Sequence, residues 1–245
     1  MLPTTLERPM VDPLLFLALD VPNGKSAMDL LTRIGKESLT HVKVGLQLFI
    51  AEGPEFVRSL VLQGYRVALD IKLDDIPETV MLACQQVAAL GVHYVMAHVG
   101  GGRAMLEAAV RGVGDSETKV LAVRVLTSLT ESDLAEIGTV TGSVEILVVQ
   151  RALLAKQAGC HGVIASPKEV KAIRAAVGAG FLIITPGVRP AGAATQDQKR
   201  TGTAYGTIVD GGDGVVVGRP IRDAADPLSV VMSLRDEMQT ALVIW

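Results

Sequence analysis

Aromatic side chains are scarce, at 3% of 245 residues. The 49% of the chain that is hydrophobic must therefore build its core from Val, Leu, Ile and Ala. Cysteine is scarcer still. Cys84 and Cys160 each sit among apolar and small residues, and neither belongs to a metal-ligand spacing. They read as two reduced, structural thiols. No apolar run approaches the ~18 residues of a membrane span. Net charge is only −3, so the basic face of a general nucleic-acid binder is missing. A small anionic ligand held by a local cluster remains compatible with that balance. No Gly-x-Gly-x-x-Gly follows the first apolar run, which leaves a dinucleotide site without support. Residues 1–9 lack the apolar core of a signal peptide. The expectation is a soluble, cytoplasmic protein with an N-terminal arm over residues 1–12.

What the sequence does contain is concentrated in Asp70-Ile71-Lys72-Leu73-Asp74-Asp75-Ile76-Pro77-Glu78-Thr79. The apolar-rich approach Tyr65 to Leu69 reads as a strand. A buried strand does not normally end in charges, because desolvating them without partners costs several kcal/mol each. Residues two apart share a strand face, so Asp70 and Lys72 should point the same way, with Ile71 on the other side. Pro77 holds Ile76 extended and removes a ladder donor, so the strand must be over by there.

Elsewhere apolar strands alternate with helical patterns. Strands are expected over 14–19, 41–44, 66–71, 93–98, 119–125, 161–165, 181–184 and 214–217. Helices are expected over 26–34, 48–63, 78–90, 103–110, 130–138, 145–158, 166–177 and 226–242, with Ser26 as the first N-cap. Buried strands alternating with helices mean a parallel sheet. Eight such units in about 250 residues mean an α/β fold, a single (β/α)8 barrel over 1–245, rather than a doubly wound open sheet.

In such barrels function sits at the C-terminal ends of the strands. Here those ends carry Asp20, Lys43, Asp70 with Lys72 and Asp75, then Thr127-Ser128, Arg189 and Gly218-Arg219. Each has an ordinary explanation alone: Lys43 could be a paired or snorkelling lysine, Asp20 a helix cap, Arg219 a surface residue. Together they converge on one mouth, where two acids and two lysines satisfy one another's charge. Arg189 and Gly218-Arg219 follow strands seven and eight, where these barrels hold phosphate. The long Gly/Ala-rich stretch 187–203 suits a lid that closes on it. His93 and His161 read as structural; His98, at the end of strand four, could face the site. No His/Asp/Glu set has metal spacing.

The run Asp70-x-Lys72-x-x-Asp75-Ile76-Pro77-x-Thr79 resembles the signature of orotidine 5′-phosphate decarboxylases, in their bacterial form. The resemblance extends over nearly the whole chain. It includes Asp20, Lys43-Val44-Gly45, Leu126-Thr127-Ser128, Thr185-Pro186-Gly187-Val188-Arg189, Asp197-Gln198 and Val217-Gly218-Arg219-Pro220-Ile221. Asp74 departs from it, since bacterial members commonly have His there.

The resemblance implies a phosphate-binding barrel and a homodimer that needs no cofactor and no metal. It implies a charge tetrad of Lys43, Asp70, Lys72 and Asp75, with Asp75 donated across the dimer interface and Lys72 as proton donor. The implied substrate-binding set is Asp20, Lys43, Asp70, Ile76, Thr79, Thr127, Ser128, Arg189, Gln198, Gly218 and Arg219. Asp20 and Lys43 would hold ribose hydroxyls, Thr127 and Ser128 would lie near the pyrimidine, and Arg189, Gln198, Gly218 and Arg219 would hold the 5′-phosphate. The expected partner is the small molecule orotidine 5′-phosphate, with no nucleic acid and no membrane. Two other readings share part of the pattern. One is a metal-dependent 3-keto-gulonate-phosphate decarboxylase, which has Asp-x-Lys-x-x-Asp without the Ile-Pro-x-Thr continuation. The other is a non-catalytic phosphoribosyl-binding barrel.

Overall fold

The computed structural model describes residues 13–123, 125, 129–139, 143–189 and 202–243. Eight parallel strands close into a barrel in chain order. They are β1 (Leu14–Ala18), β2 (His41–Gly45), β3 (Arg66–Leu73), β4 (Tyr94–His98), β5 (Lys119–Val123), β6 (Gly162–Ile164), β7 (Leu182–Pro186) and β8 (Gly214–Val217). Closure is made by β8 against β1, with Leu14 opposite Gly214 and Leu17 opposite Val217. Between and after the strands run α1 (Gly24–Ile34), α2 (Leu46–Leu62), α3 (Pro77–Ala89), α4 (Gly102–Val113), α5 (Glu131–Glu136), α6 (Val144–Gln157), α7 (Val170–Val177), α8 (Ala204–Val209), α9 (Arg219–Arg222) and α10 (Pro227–Leu242). The alternation read from the sequence is therefore a (β/α)8 barrel. Among the described residues, no helix is long and apolar enough to cross a membrane.

Strand alternation divides the core into two layers. Phe16, Ala68, Tyr94, Met96, Leu121, Ile184 and Val216 fill the barrel interior. Their chain neighbours Leu15, Leu17, Val67, Leu69, Val95, Val120, Ile183 and Val217 face outward into the larger cluster shared with the helices. This is why the strands read as unbroken apolar runs: both faces are covered. Each buried Leu, Val or Ile contributes roughly 1.5–3 kcal/mol, so this double layer is the main favourable term. Helix α1 shows the matching spacing, burying Ala27, Leu30, Leu31 and Ile34. At the end of the barrel away from the charged mouth, Arg174 fastens two loops, the one before β7 and the one before β8. It donates to the carbonyls of Gly211, Gly178 and Phe181 and pairs with Asp213 at 2.6 Å.

Several elements differ from the sequence expectation. The cap of α1 is Asn23, whose side chain accepts the Ser26 N–H at 2.9 Å, so the helix starts before Ser26. Helix α2 is broken at Gly53, whose φ of 71° only glycine adopts cheaply, with Pro54 restarting the helix. Strand β3 runs two residues further than expected, through Lys72. The short helices α8 and α9 were not expected. Helix α8 has a Gly and three β-branched residues among its six, so propensity gives little signal. It forms because Thr203 accepts the Gly206 N–H and because the helix packs on α10.

Both cysteines are buried free thiols, with burial pushing their pKa values up to about 11 for Cys84 and about 12 for Cys160. Such thiols are inert, in keeping with a structural role.

Candidate active site

The C-terminal ends of the strands open into a cavity of about 230 Å³. Going round the barrel, its wall has three sectors. β1 to β3 contribute charge through Asp20, Lys43, Asp70 and Lys72. Among the described residues, β4, β5 and β6 contribute only apolar side chains, Met96, Val123 and Ile164, extended by Val125. The β7 and β8 ends, adjacent to β1 again, contribute Pro186, Gly187, Arg189, Gly218 and Arg219.

The charged sector is assembled by strand register. Ala18 lies opposite Lys43, and the Leu19 N–H donates to the Lys43 carbonyl at 2.9 Å, which carries Asp20 alongside β2. Gly45 lies opposite Asp70. The result is a linear chain of alternating charge. The Lys43 Nζ is 3.1 Å from Asp20 Oδ1 and 3.3 Å from Asp70 Oδ2, and Lys72 Nζ is 2.8 Å from Asp70 Oδ1. Asp70 is 8% exposed, and each of its oxygens has its own lysine. A Cβ on Gly45 would come within 3.1 Å of Lys43 Nζ and 3.2 Å of Asp20 Oδ1, so a larger residue there would push on that link.

Burial by itself would lower the Lys43 pKa. The attraction of Asp70 and Asp20, with their hydrogen bonds, outweighs it and holds the ammonium above its usual value. A unit charge pair near 4 Å is worth about 4 kcal/mol at an effective dielectric of ~20, so two carboxylates suffice to reverse the burial effect. Lys43 is thus a fixed cation clamped between two anions.

Lys72 reaches the cavity by a different device. Leu69 pairs with Val95 and Leu73 pairs with Ala97, so three residues of β3, Asp70 to Lys72, lie opposite Met96 alone. The ladder bulges here. Lys72 takes a φ of +49°, the only positive φ of a non-glycine residue among those described. Left-handed backbone at such a residue is a local cost of about 1–2 kcal/mol. The shared face expected for Asp70 and Lys72 is realised, with Ile71 and Leu73 packed on the outer core. It is realised through this bulge and not through a regular pleat.

Asp75, Ile76 and Thr79 do not line the cavity of their own chain. Asp75 is exposed, and its carboxylate accepts the Ile76 N–H at 2.6 Å; Ile76 is 66% exposed and Thr79 is exposed. Arg189 is buried, with its backbone N–H donating to the Gly202 carbonyl at 2.9 Å beside the Val188–Gly202 bridge. Thr127, Ser128, Gln198, the arm 1–12 and most of the 187–203 stretch lie outside the described residues. His98 is not on the cavity wall: its Nδ1 accepts the Gly100 N–H at 3.1 Å, and burial lowers its pKa. His161 accepts the Val120 N–H at 3.0 Å. Among the described residues no group of three or more His, Cys, Asp or Glu could hold a metal ion.

The apolar sector was not singled out from the sequence. Its signal is present nonetheless, since Met96, Val123 and Ile164 are inward-facing residues near the ends of their strands. Chemically, the cavity offers a row of alternating charge, an apolar wall, and two guanidinium groups at the edge.

Comparison with known proteins shows the family. Residues 13–234 match the model of the "Orotidine 5'-phosphate decarboxylase / HUMPS family". The chain is 40% identical over 230 residues to the orotidine 5′-phosphate decarboxylase of Nitrosospira multiformis, covering 94% of this chain and 95% of that one. It is 46% identical over 217 residues to that of Anaeromyxobacter sp. (strain K), covering 89% and 94%. The crystal structure of orotidine 5′-phosphate decarboxylase from Lactobacillus acidophilus superposes with a TM-score of 0.83 at 34% identity, covering 93% and 99%.

Proposed function

From the premise that this chain belongs to the orotidine 5′-phosphate decarboxylase / HUMPS family, we propose how its cavity carries out that chemistry. The protein is an orotidine 5′-phosphate decarboxylase, converting orotidine 5′-phosphate to UMP and CO2 in pyrimidine biosynthesis. The observation that carries the mechanism is the linear chain Asp20–Lys43–Asp70–Lys72 on one side of a cavity whose other edge is Arg189, Gly218 and Arg219.

In this reading the pyrimidine lies against the apolar sector, near Thr127 and Ser128. The ribose hydroxyls meet Asp20 and Lys43, and the 5′-phosphate meets Arg189, Gln198, Gly218 and Arg219. Loss of CO2 breaks the bond to C6 and leaves the electron pair there, with little delocalisation available. The stabilisation must be electrostatic, and the Lys72 ammonium is the cation aimed at that carbon. It then gives its proton to C6 and recovers one from solvent. Asp70 lies beside the substrate carboxylate, where their repulsion eases as neutral CO2 departs. Lys43 holds the Asp70 carboxylate in place through their 3.3 Å ion pair. Gripping the phosphate supplies binding energy remote from the reacting carbon. No step requires a cofactor or metal.

We further propose a homodimer in which Asp75, with Ile76 and Thr79 on the same turn, completes the partner's cavity. The support is that this acidic turn does not line its own cavity and carries an exposed isoleucine. A phosphate monoester does not cross membranes unaided, which favours a cytoplasmic enzyme.

The test is direct. Purified protein is incubated with orotidine 5′-phosphate in the presence of EDTA, and loss of the orotate absorbance is followed. Turnover is expected. No turnover with or without EDTA would overturn the reading, and activity lost only with EDTA would point to a metal-dependent relative.

A further inference from the structure

From outside the cavity, one arginine reaches the Asp20 end of the charge chain. Arg222, at the last position of α9, donates from NH1 to the Asp20 backbone carbonyl at 2.9 Å, across 202 residues of sequence. Its other two nitrogens grip Asp223: Nε to Oδ1 at 2.6 Å and NH2 to Oδ2 at 2.9 Å. That bidentate grip fixes the plane of the guanidinium, so the third nitrogen has one direction in which to donate. Consistent with a tight pair, hydrogen bonding to Asp223 raises the pKa of Arg222, and hydrogen bonding from Arg222 lowers that of Asp223.

The position of this strut matters. α9 begins at Arg219, directly after Gly218, and both line the cavity. Asp20 follows β1, past its last pairing bond at Leu19, and is exposed. Beyond that bond, the Arg222 donation is the hydrogen bond that reaches Asp20's own backbone. Arg222 therefore sets how far the Asp20 carboxylate stands from Lys43 and from the β8 end. Sequence alone does not reveal this, because Arg222 lies outside the expected elements and its partner is 202 residues away.

We propose that Arg222, oriented by Asp223, is a positioning residue that holds Asp20 at the ribose-binding edge of the cavity. The inference rests on the reading of Asp20 as a ribose contact, and its test separates the two. Arg222→Ala is compared with Arg33→Ala, whose side chain donates to the Ala224 and Ala225 carbonyls on the same connection without reaching Asp20. Each variant is assayed for KM and kcat with orotidine 5′-phosphate, for UMP dissociation constant, and for inhibition by inorganic phosphate.

Arg222→Ala is expected to raise KM and the UMP dissociation constant by about 5–10-fold, the size of one lost hydrogen bond. The kcat should fall much less, and phosphate inhibition should be unchanged. Arg222→Lys, which keeps a donor but loses the two-point grip, should recover part of the loss. Arg33→Ala should leave all four values alone. The proposal is overturned if Arg222→Ala and Arg33→Ala behave alike. It is also overturned if phosphate inhibition weakens in step with UMP, because the strut would then serve the phosphate edge. UMP binding is read without turnover, so an inactive wild type that still binds UMP would refute the decarboxylase reading while leaving this comparison decisive.

Discussion

The backbone of Lys72 can be tested apart from its ammonium. Lys72→Ala and Lys72→Gly both remove the 2.8 Å ion pair with Asp70 and the same methylenes, and both leave Asp70 with Lys43 at 3.3 Å. They differ only in the Cβ at a residue whose φ is +49°. That conformation costs a residue with a Cβ roughly 1–2 kcal/mol, a cost glycine escapes. Against this, glycine gives the unfolded chain more freedom, worth about 0.5–1 kcal/mol in alanine's favour. The balance predicts Lys72→Gly to be more stable than Lys72→Ala by about 0.5–1 kcal/mol, the reverse of their order in an ordinary strand. Urea unfolding with a common slope would show it as a higher midpoint, and thermal melting as a gain of about 2 °C. Both variants should lose turnover of orotidine 5′-phosphate. If Lys72→Ala equals or exceeds Lys72→Gly in stability, the bulge does not store strain. If either keeps a near wild-type rate, Lys72 is not the proton donor.

Two further outcomes are expected. His41 lies edge-on to Phe16 at a centroid distance of 5.0 Å, and burial, then Arg66, His93 and Arg235, lower its pKa to about 4. The folded state thus prefers the neutral ring. Its stabilisation is complete above the unfolded pKa of 6.5 and is lost as pH falls from there towards 4, up to about 3 kcal/mol before discounting for partial exposure. Urea midpoints at pH 7.5 and 4.5 should therefore differ less in His41→Gln than in the wild type; equal differences would refute this. For Asp75, mixing unfolded Asp75→Asn and Lys72→Ala chains and refolding them together should restore roughly a quarter of wild-type activity. A two-fold dimer of one chain of each kind has one intact site. A mixture no more active than its parents would place Asp75 in its own subunit's site or in none.

Much of the site was legible because its elements are local. Asp20, Lys43, Asp70 and Lys72 could be singled out as strand-end charges following apolar runs, and all four line the cavity. The apolar sector was overlooked because Met96, Val123 and Ile164 look like any other strand residue until it is known that the barrel opens above them. Helix α8 escaped because its six residues owe their shape to Thr203 and α10 rather than to propensity. Arg222 escaped because its partner is 202 residues away.

By itself the sequence determined the barrel and its chemistry. Apolar runs covered on both faces, alternating with helices eight times, have one compact parallel solution, and charges at strand ends have one common mouth to meet in. Only the tertiary structure decided how those charges pair. The register of β1, β2 and β3 sets Lys43 between two carboxylates, and a shift in register against β4 bends Lys72 into a left-handed turn. Register belongs to two strands at once, so no reading of one strand could supply it.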